Sequence, residues 1–154
     1  MTCTDPSHHV KGGDDYIDAV HRIAMQRGVR LTTLRENVLR LVAGSAHPVK
    51  AYDLLQGIGK SGTAAAPVLA YRALDFLLEQ RFVHKLETVN AYVACHHPGT
   101  GHCVPFLICD GCQVALELED GETAAVLERE AGDLGFTVRS QTLEVHGLCK
   151  HCQR

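Results

Sequence analysis

Residues 67–95 read PVLAYRALDFLLEQRFVHKLETVNAYVAC. Pro67 fits the first turn of a helix, where its missing N–H leaves no bond unmade. Ala70, Ala73, Leu74, Leu77 and Leu78 recur at three- and four-residue steps and line one face. Val68, Tyr71, Arg72, Asp75 and Glu79 fall on the opposite one. An aromatic and an arginine side by side near a helix start suit a DNA major groove. The aryl edge meets thymine methyls or phosphates, and the guanidinium meets phosphate or guanine. An ordinary amphipathic helix with a solvated face fits the same pattern. The next residues tip the balance. Phe82–Leu86 and Ala91–Cys95 are two short strands around Val89 and Asn90, a hairpin. Helices followed by a two-stranded hairpin form a winged helix, a variant of helix-turn-helix. Tyr71 and Arg72 are then the candidate DNA contacts.

Upstream, the chain is helical. Residues 1–13 are polar and Gly-rich, with His8 and His9 in the tail. From Asp15, Ile17, Val20, Ile23 and Ala24 recur at helical steps, and Gly28 suits the C′ position. Thr33 with Glu36 suggests a capping box, ahead of a stripe of Leu34, Val38, Leu41 and Val42. Gly44 and His47-Pro48 end that helix, and Ala51–Ile58 forms a shorter third one.

Downstream, the character changes. Val104–Ile108 and Val114–Leu118 read as strands around Cys109-Asp110-Gly111-Cys112. Asp120 opens a helix over Glu122–Leu134 that Gly135 closes, and Phe136–Val145 alternates as a strand. This half has few large side chains. It needs a staple, a partner chain or both.

Composition sets outer bounds. The chain has 154 residues and 45% hydrophobic content, enough for one globular domain or two small ones. No apolar run reaches the roughly 18 residues of a membrane span. The N-terminus lacks the basic and apolar regions of a secretion signal, so a cytoplasmic protein without membrane association is expected. Net charge is −3, but it is unevenly spread. Residues 1–95 carry 11 Lys and Arg against 9 Asp and Glu, a surplus of two. Residues 96–154 carry 4 against 9, a deficit of five. Phosphate contact therefore belongs to the first half, through a local basic face.

The cysteines carry the strongest chemistry. Seven are present, an odd number. Without a secretion signal, metal ligation is a better reading than a disulfide framework. Cys109-x2-Cys112 and Cys149-x2-Cys152 are two knuckles separated by 36 residues. Four thiolates suit a closed structural zinc site. Such a site would tie the chain's end back to its middle. Thiol redox chemistry needs only one such pair.

A second constellation is less symmetric. His84, Cys95, His96, His97, His102, Cys103 and Glu117 span the hairpin, the hinge and the strands beyond it. A set of His, Cys, His and a carboxylate can bind zinc tetrahedrally. A thiolate at Cys95 favours zinc over iron or manganese. Ligands drawn from both halves would make a switch. Enzyme motifs are missing: HExxH, the zinc deaminase pattern, a phosphate-cradling GxxxxGK[ST] and GxSxG are all absent.

The motifs AYDLL at 51–55, YRALDFLLEQ at 71–80, FVHK at 82–85, Cys95-His96, ICDGC at 108–112 and EVHGLCKHC at 144–152 resemble the ferric uptake regulator (Fur) family. They look most like its zinc uptake regulator (Zur) branch, and the resemblance spans residues 15 to 152. It implies a metal-dependent transcriptional repressor and no enzyme. The implied fold class is α+β, an N-terminal winged-helix DNA-binding domain (1–94) plus a C-terminal α/β dimerisation domain (105–154) joined by a metal-binding hinge (95–104). The implied partners are a second copy of the chain, in a homodimer, and double-stranded DNA with a palindromic operator. Two Zn2+ per chain are implied. The structural one is held by Cys109, Cys112, Cys149 and Cys152, the regulatory one by His84, Cys95, His102 and Glu117. Tyr71 and Arg72 would contact the operator. His96, His97 and Cys103 stay available for a further metal.

Two positions depart from the family. Leu69 stands where Ser or Thr is usual, and LTTLR at 31–35 replaces LTPQR. Two rival readings are an iron, manganese or peroxide sensor of the same family, and a zinc-thiolate redox or chaperone-like protein without a DNA role.

Overall fold

The computed structural model describes residues 13–60, 67–99, 104–118, 121–139 and 141–153, which form two compact units. Residues 13–99 make the first and 104–153 the second.

The first unit runs α1 (Asp14–Gln26), α2 (Thr33–Ala43), β1 (Val49–Lys50), α3 (Ala51–Lys60), α4 (Pro67–Glu79), β2 (Val83–Leu86) and β3 (Ala91–Ala94). Asp14 and Asp15 occupy the first turn of α1, where acidic side chains oppose the positive end of the helix dipole. Gly28 follows its end at φ +67, a left-handed conformation that glycine adopts without a Cβ penalty. The cap of α2 lies one residue earlier than the sequence suggested. Thr32 accepts the Arg35 N–H, and Thr33 is already helical. Glu36 closes no capping box, because its carboxylate is held by Arg40 at 2.9 Å and His21 at 2.8 Å. Side-chain hydrogen bonds, Arg40 foremost and then His21, hold its carboxyl below the usual range.

The core of this unit is aliphatic. Val38 and Leu39 of α2, Leu74 and Leu77 of α4, and Phe82 beside the hairpin are buried together. α4 packs on α2, α3 and β2. The hairpin is a three-stranded sheet in the order β1-β3-β2, all antiparallel. β1, only two residues long, is too short to leave a sequence pattern. It pairs Val49 with Tyr92 and Lys50 with Ala91. Asn90, at φ +48, turns β2 back into β3.

The second unit runs β4 (Pro105–Cys109), β5 (Ala115–Glu117), α5 (Gly121–Asp133) and β6 (Leu143–Gly147). β4 is central, antiparallel to β5 and parallel to β6. Pro105, Phe106, Ile108 and Cys109 are buried and Leu107 is half-buried. The last strand begins at Leu143 rather than Phe136. β4 offers five residues, and Leu143–Gly147 pairs with all of them, from Pro105 to Cys109. Residues 136–139 have no strand beside them, so their alternation produces none. No residue of α5 is buried. Asp120, expected to open that helix, lies outside the described residues. Among the described residues no helix is long and apolar enough to cross a membrane.

Candidate metal centre and nucleic-acid face

Both knuckles belong to the second unit. β4 ends at Cys109, and the ladder continues one residue further as Asp110 donates its N–H to the Gly147 carbonyl at 2.8 Å. The chain then turns, and Gln113 donates back to the Cys109 carbonyl at 2.8 Å. Leaving β6, the chain makes the same turn again. Gln153 donates to the Cys149 carbonyl at 3.1 Å, as Gln113 does to Cys109, and Cys152 donates to the same carbonyl at 2.8 Å. Because β4 and β6 are parallel neighbours, both turns emerge at one end of the sheet.

The result is a cluster of Cys109, Cys112, Cys149 and Cys152 whose four sulfurs lie within 4.8 Å of one another. None is in a disulfide. Cys112 Sγ and Cys149 Sγ are 3.8 Å apart, far beyond an S–S bond. Backbone groups already favour a thiolate. The N–H of Cys149 donates to Cys109 Sγ at 3.3 Å, and that of Cys112 at 3.5 Å. These donors, Cys149 first, bring the Cys109 thiol down to about 6. Cys152 is pushed up to about 12, chiefly by the adjoining thiol of Cys149 and then by Cys109. Four sulfurs this close cannot all ionise without a cation among them. A divalent metal removes the conflict, and an all-thiolate set selects a soft one.

Gly111 lets the knuckles meet. A Cβ there would lie 2.9 Å from both Cβ and Sγ of Cys152. The only trace of this in the sequence is the glycine within Cys-Asp-Gly-Cys. Asp110 Oδ1 also meets His146 Nδ1 at 3.0 Å, linking the first knuckle to β6.

The other candidate ligands are spread along the chain. In the first unit, His84 is half-buried on β2, opposite Val93. Cys95 is fully buried just after β3, and its N–H donates to the Phe82 carbonyl at 3.0 Å. A ring nitrogen of His84 and Cys95 Sγ lie within 4.8 Å. The residues after Cys95 are pinned by an anchor the sequence reading missed. Arg27 donates to the Gly99 carbonyl at 2.6 Å and to the Gln80 carbonyl at 2.7 Å. Gly99 sits at φ +84, where a Cβ would lie 2.9 Å from Ile23. His96 is half-buried and His97 exposed, and among the described residues neither joins a group of three potential ligands. In the second unit, Glu117 ends β5 and is 3% exposed. His102 and Cys103 lie outside the described residues.

The nucleic-acid candidates lie on α4. Tyr71 and Arg72 are exposed, while Ala70, Ala73 and Leu74 on either side are buried against the rest of the unit. The predicted helix faces are therefore the observed ones.

The model of the family described as "Ferric uptake regulator family" matches residues 26–146. The "Zinc uptake regulation protein" of Escherichia coli (strain K12) is 42% identical over 132 residues, covering 85% of this chain and 77% of that protein. A solved structure described as "Crystal structure of holo XcZur" is 55% identical and covers 91% of this chain and 98% of its own, with a TM-score of 0.86. Another, "Zinc Uptake Regulator Complexed With Zinc AND DNA", is 40% identical and covers 90% and 93%, with a TM-score of 0.85.

Proposed function

The chain belongs to the ferric uptake regulator family, and from that premise we propose that it is a zinc-responsive transcriptional repressor of zinc-uptake genes. It works in the cytoplasm, as a homodimer, on double-stranded operator DNA with palindromic half-sites. The convergence of four cysteine sulfurs in the second unit carries the zinc reading. Similarity to a zinc uptake regulator solved with zinc and DNA supports both ligands.

Two zincs serve different purposes. The structural one is held by Cys109, Cys112, Cys149 and Cys152, and bound there it cross-links β4 to the end of the chain. The second is regulatory, with His84, Cys95, His102 and Glu117 as ligands. His84 and Cys95 already approach each other within one unit. Glu117 keeps a carboxylate in a buried position, which suits a divalent cation. A thiolate ligand favours zinc over iron or manganese. Tyr71 and Arg72 face the major groove. Dimerisation belongs to the second unit, which exposes Val126, Leu127, Leu134, Phe136, Val145 and Leu148. Holding two such recognition helices at a fixed separation matches them to two half-sites.

The test is zinc content and operator affinity measured together. Purified protein holds two zincs per chain, and mild chelation lowers this to one. Affinity in fluorescence anisotropy falls with that second zinc. Unchanged affinity across the titration would refute the regulatory role.

A further inference from the structure

Two aliphatic side chains stand exposed on the first turn of α4, and no role above uses them. Val68 is 61% exposed and Leu69 46%, whereas Ala70 beside them is buried. Helical spacing places Leu69 three residues before Arg72, and Val68 three before Tyr71. Further along the helix the exposed residues are Asp75 and Glu79. The apolar surface is thus confined to the N-terminal end of the helix. In helix-turn-helix proteins that end of the recognition helix meets base edges. A major groove offers an apolar side chain one complementary group, the 5-methyl of thymine. Phosphate oxygens and the polar base edges do not complement it.

We infer that Leu69, with Val68 beside it, is a specificity-determining residue that packs on a thymine 5-methyl group in the operator. The inference rests on the DNA-binding reading above. It divides the work on α4. Arg72 takes phosphate or guanine, and Leu69 takes the methyl, which carries identity but no charge.

The test uses zinc-loaded, full-length protein and duplexes that it selects from a random-sequence pool. Each thymine is then replaced singly by deoxyuridine, which keeps the hydrogen-bonding groups and removes only the methyl. At one or two positions per half-site, affinity falls about fourfold, the ratio carried by burying one methyl group. Leu69→Ala binds the thymine duplex more weakly and treats thymine and deoxyuridine alike at those positions. Arg72→Ala weakens binding to every duplex yet preserves the ratio. Leu69 is exposed, so Leu69→Ala melts as the parent does, which separates lost reading from lost fold. A flat deoxyuridine scan, or a ratio kept by Leu69→Ala, overturns the inference. So does a change in dimer mass on Leu69→Ala, which would assign the side chain to a protein partner. If zinc-loaded protein enriches no duplex at all, the DNA-binding reading fails as well. That outcome is distinct from a flat scan on a duplex that binds.

Discussion

The two units are held together by different physics. In the first, α2 and α4 bury Val38, Leu39, Leu74 and Leu77 around Phe82, and each of these side chains is 2% exposed or less. In the second, no residue of α5 is fully buried, and the described core is little more than Phe106, Ile108, Val114 and Ala115 around the knuckles. A unit of some fifty residues with so small a core lies below what apolar burial alone stabilises. Four cysteines at one end of its sheet are placed to compensate, through the zinc proposed above. The first unit presents chemistry on a scaffold that is stable for ordinary reasons, while on the reading proposed above the second relies on zinc at its knuckles and on the partner subunit.

The largest expected effect breaks the comparison open. Removing the structural zinc with a strong chelator takes away roughly 10–16 kcal/mol, the range of structural zinc in finger peptides. Residues 104–153 then become protease-sensitive, while 13–99 survive as a resistant fragment on gels and in mass spectra. Equal loss of both halves would mean the contrast is false. A smaller effect sharpens it from the other side. Leu77→Ala empties a fully buried site in α4 and costs about 2–5 kcal/mol. Denaturant melting of the first unit shifts, and zinc content stays as it was.

The smallest effect concerns the polar tie between α1 and α2. Glu36, Arg40, His21 and Asp14 form a partly exposed network. Glu36→Gln costs less than about 1 kcal/mol at neutral pH, as expected for such pairs. The sign is set by the lowered carboxyl pKa of Glu36 in the folded state. Its contribution is present above the unfolded carboxylate pKa and is lost as pH falls through the folded one. Parent and variant melting curves therefore converge in acid.

Legibility in the sequence followed the same contrast. Helical periodicity located α1, α2 and α4, because a buried stripe leaves a pattern every three or four residues. The faces of α4 were readable for that reason, down to Tyr71 and Arg72 pointing outward. The Cys-x2-Cys spacing located the thiolate cluster, since a knuckle is a local turn with few solutions. What escaped was set by pairing between distant segments. The two-residue β1 and the start of β6 at Leu143 depend on which residues of β3 and β4 offer partners. The cap fell on Thr32 rather than Thr33, and Glu36 is engaged by Arg40 on its own helix and by His21, 15 residues away, which no local motif reveals. Arg27 holding Gly99 joins residues 72 apart, and only the fold brings them together.

The central claim is that one zinc holds the second unit while another governs DNA binding, and Cys95→Ser separates them. Zinc per chain and operator affinity against free zinc are measured on this variant and its parent. The account predicts that Cys95→Ser keeps one zinc and an intact second unit but binds the operator weakly at every zinc concentration. A variant that kept the parent's zinc response, or lost its fold with its zinc, would contradict it.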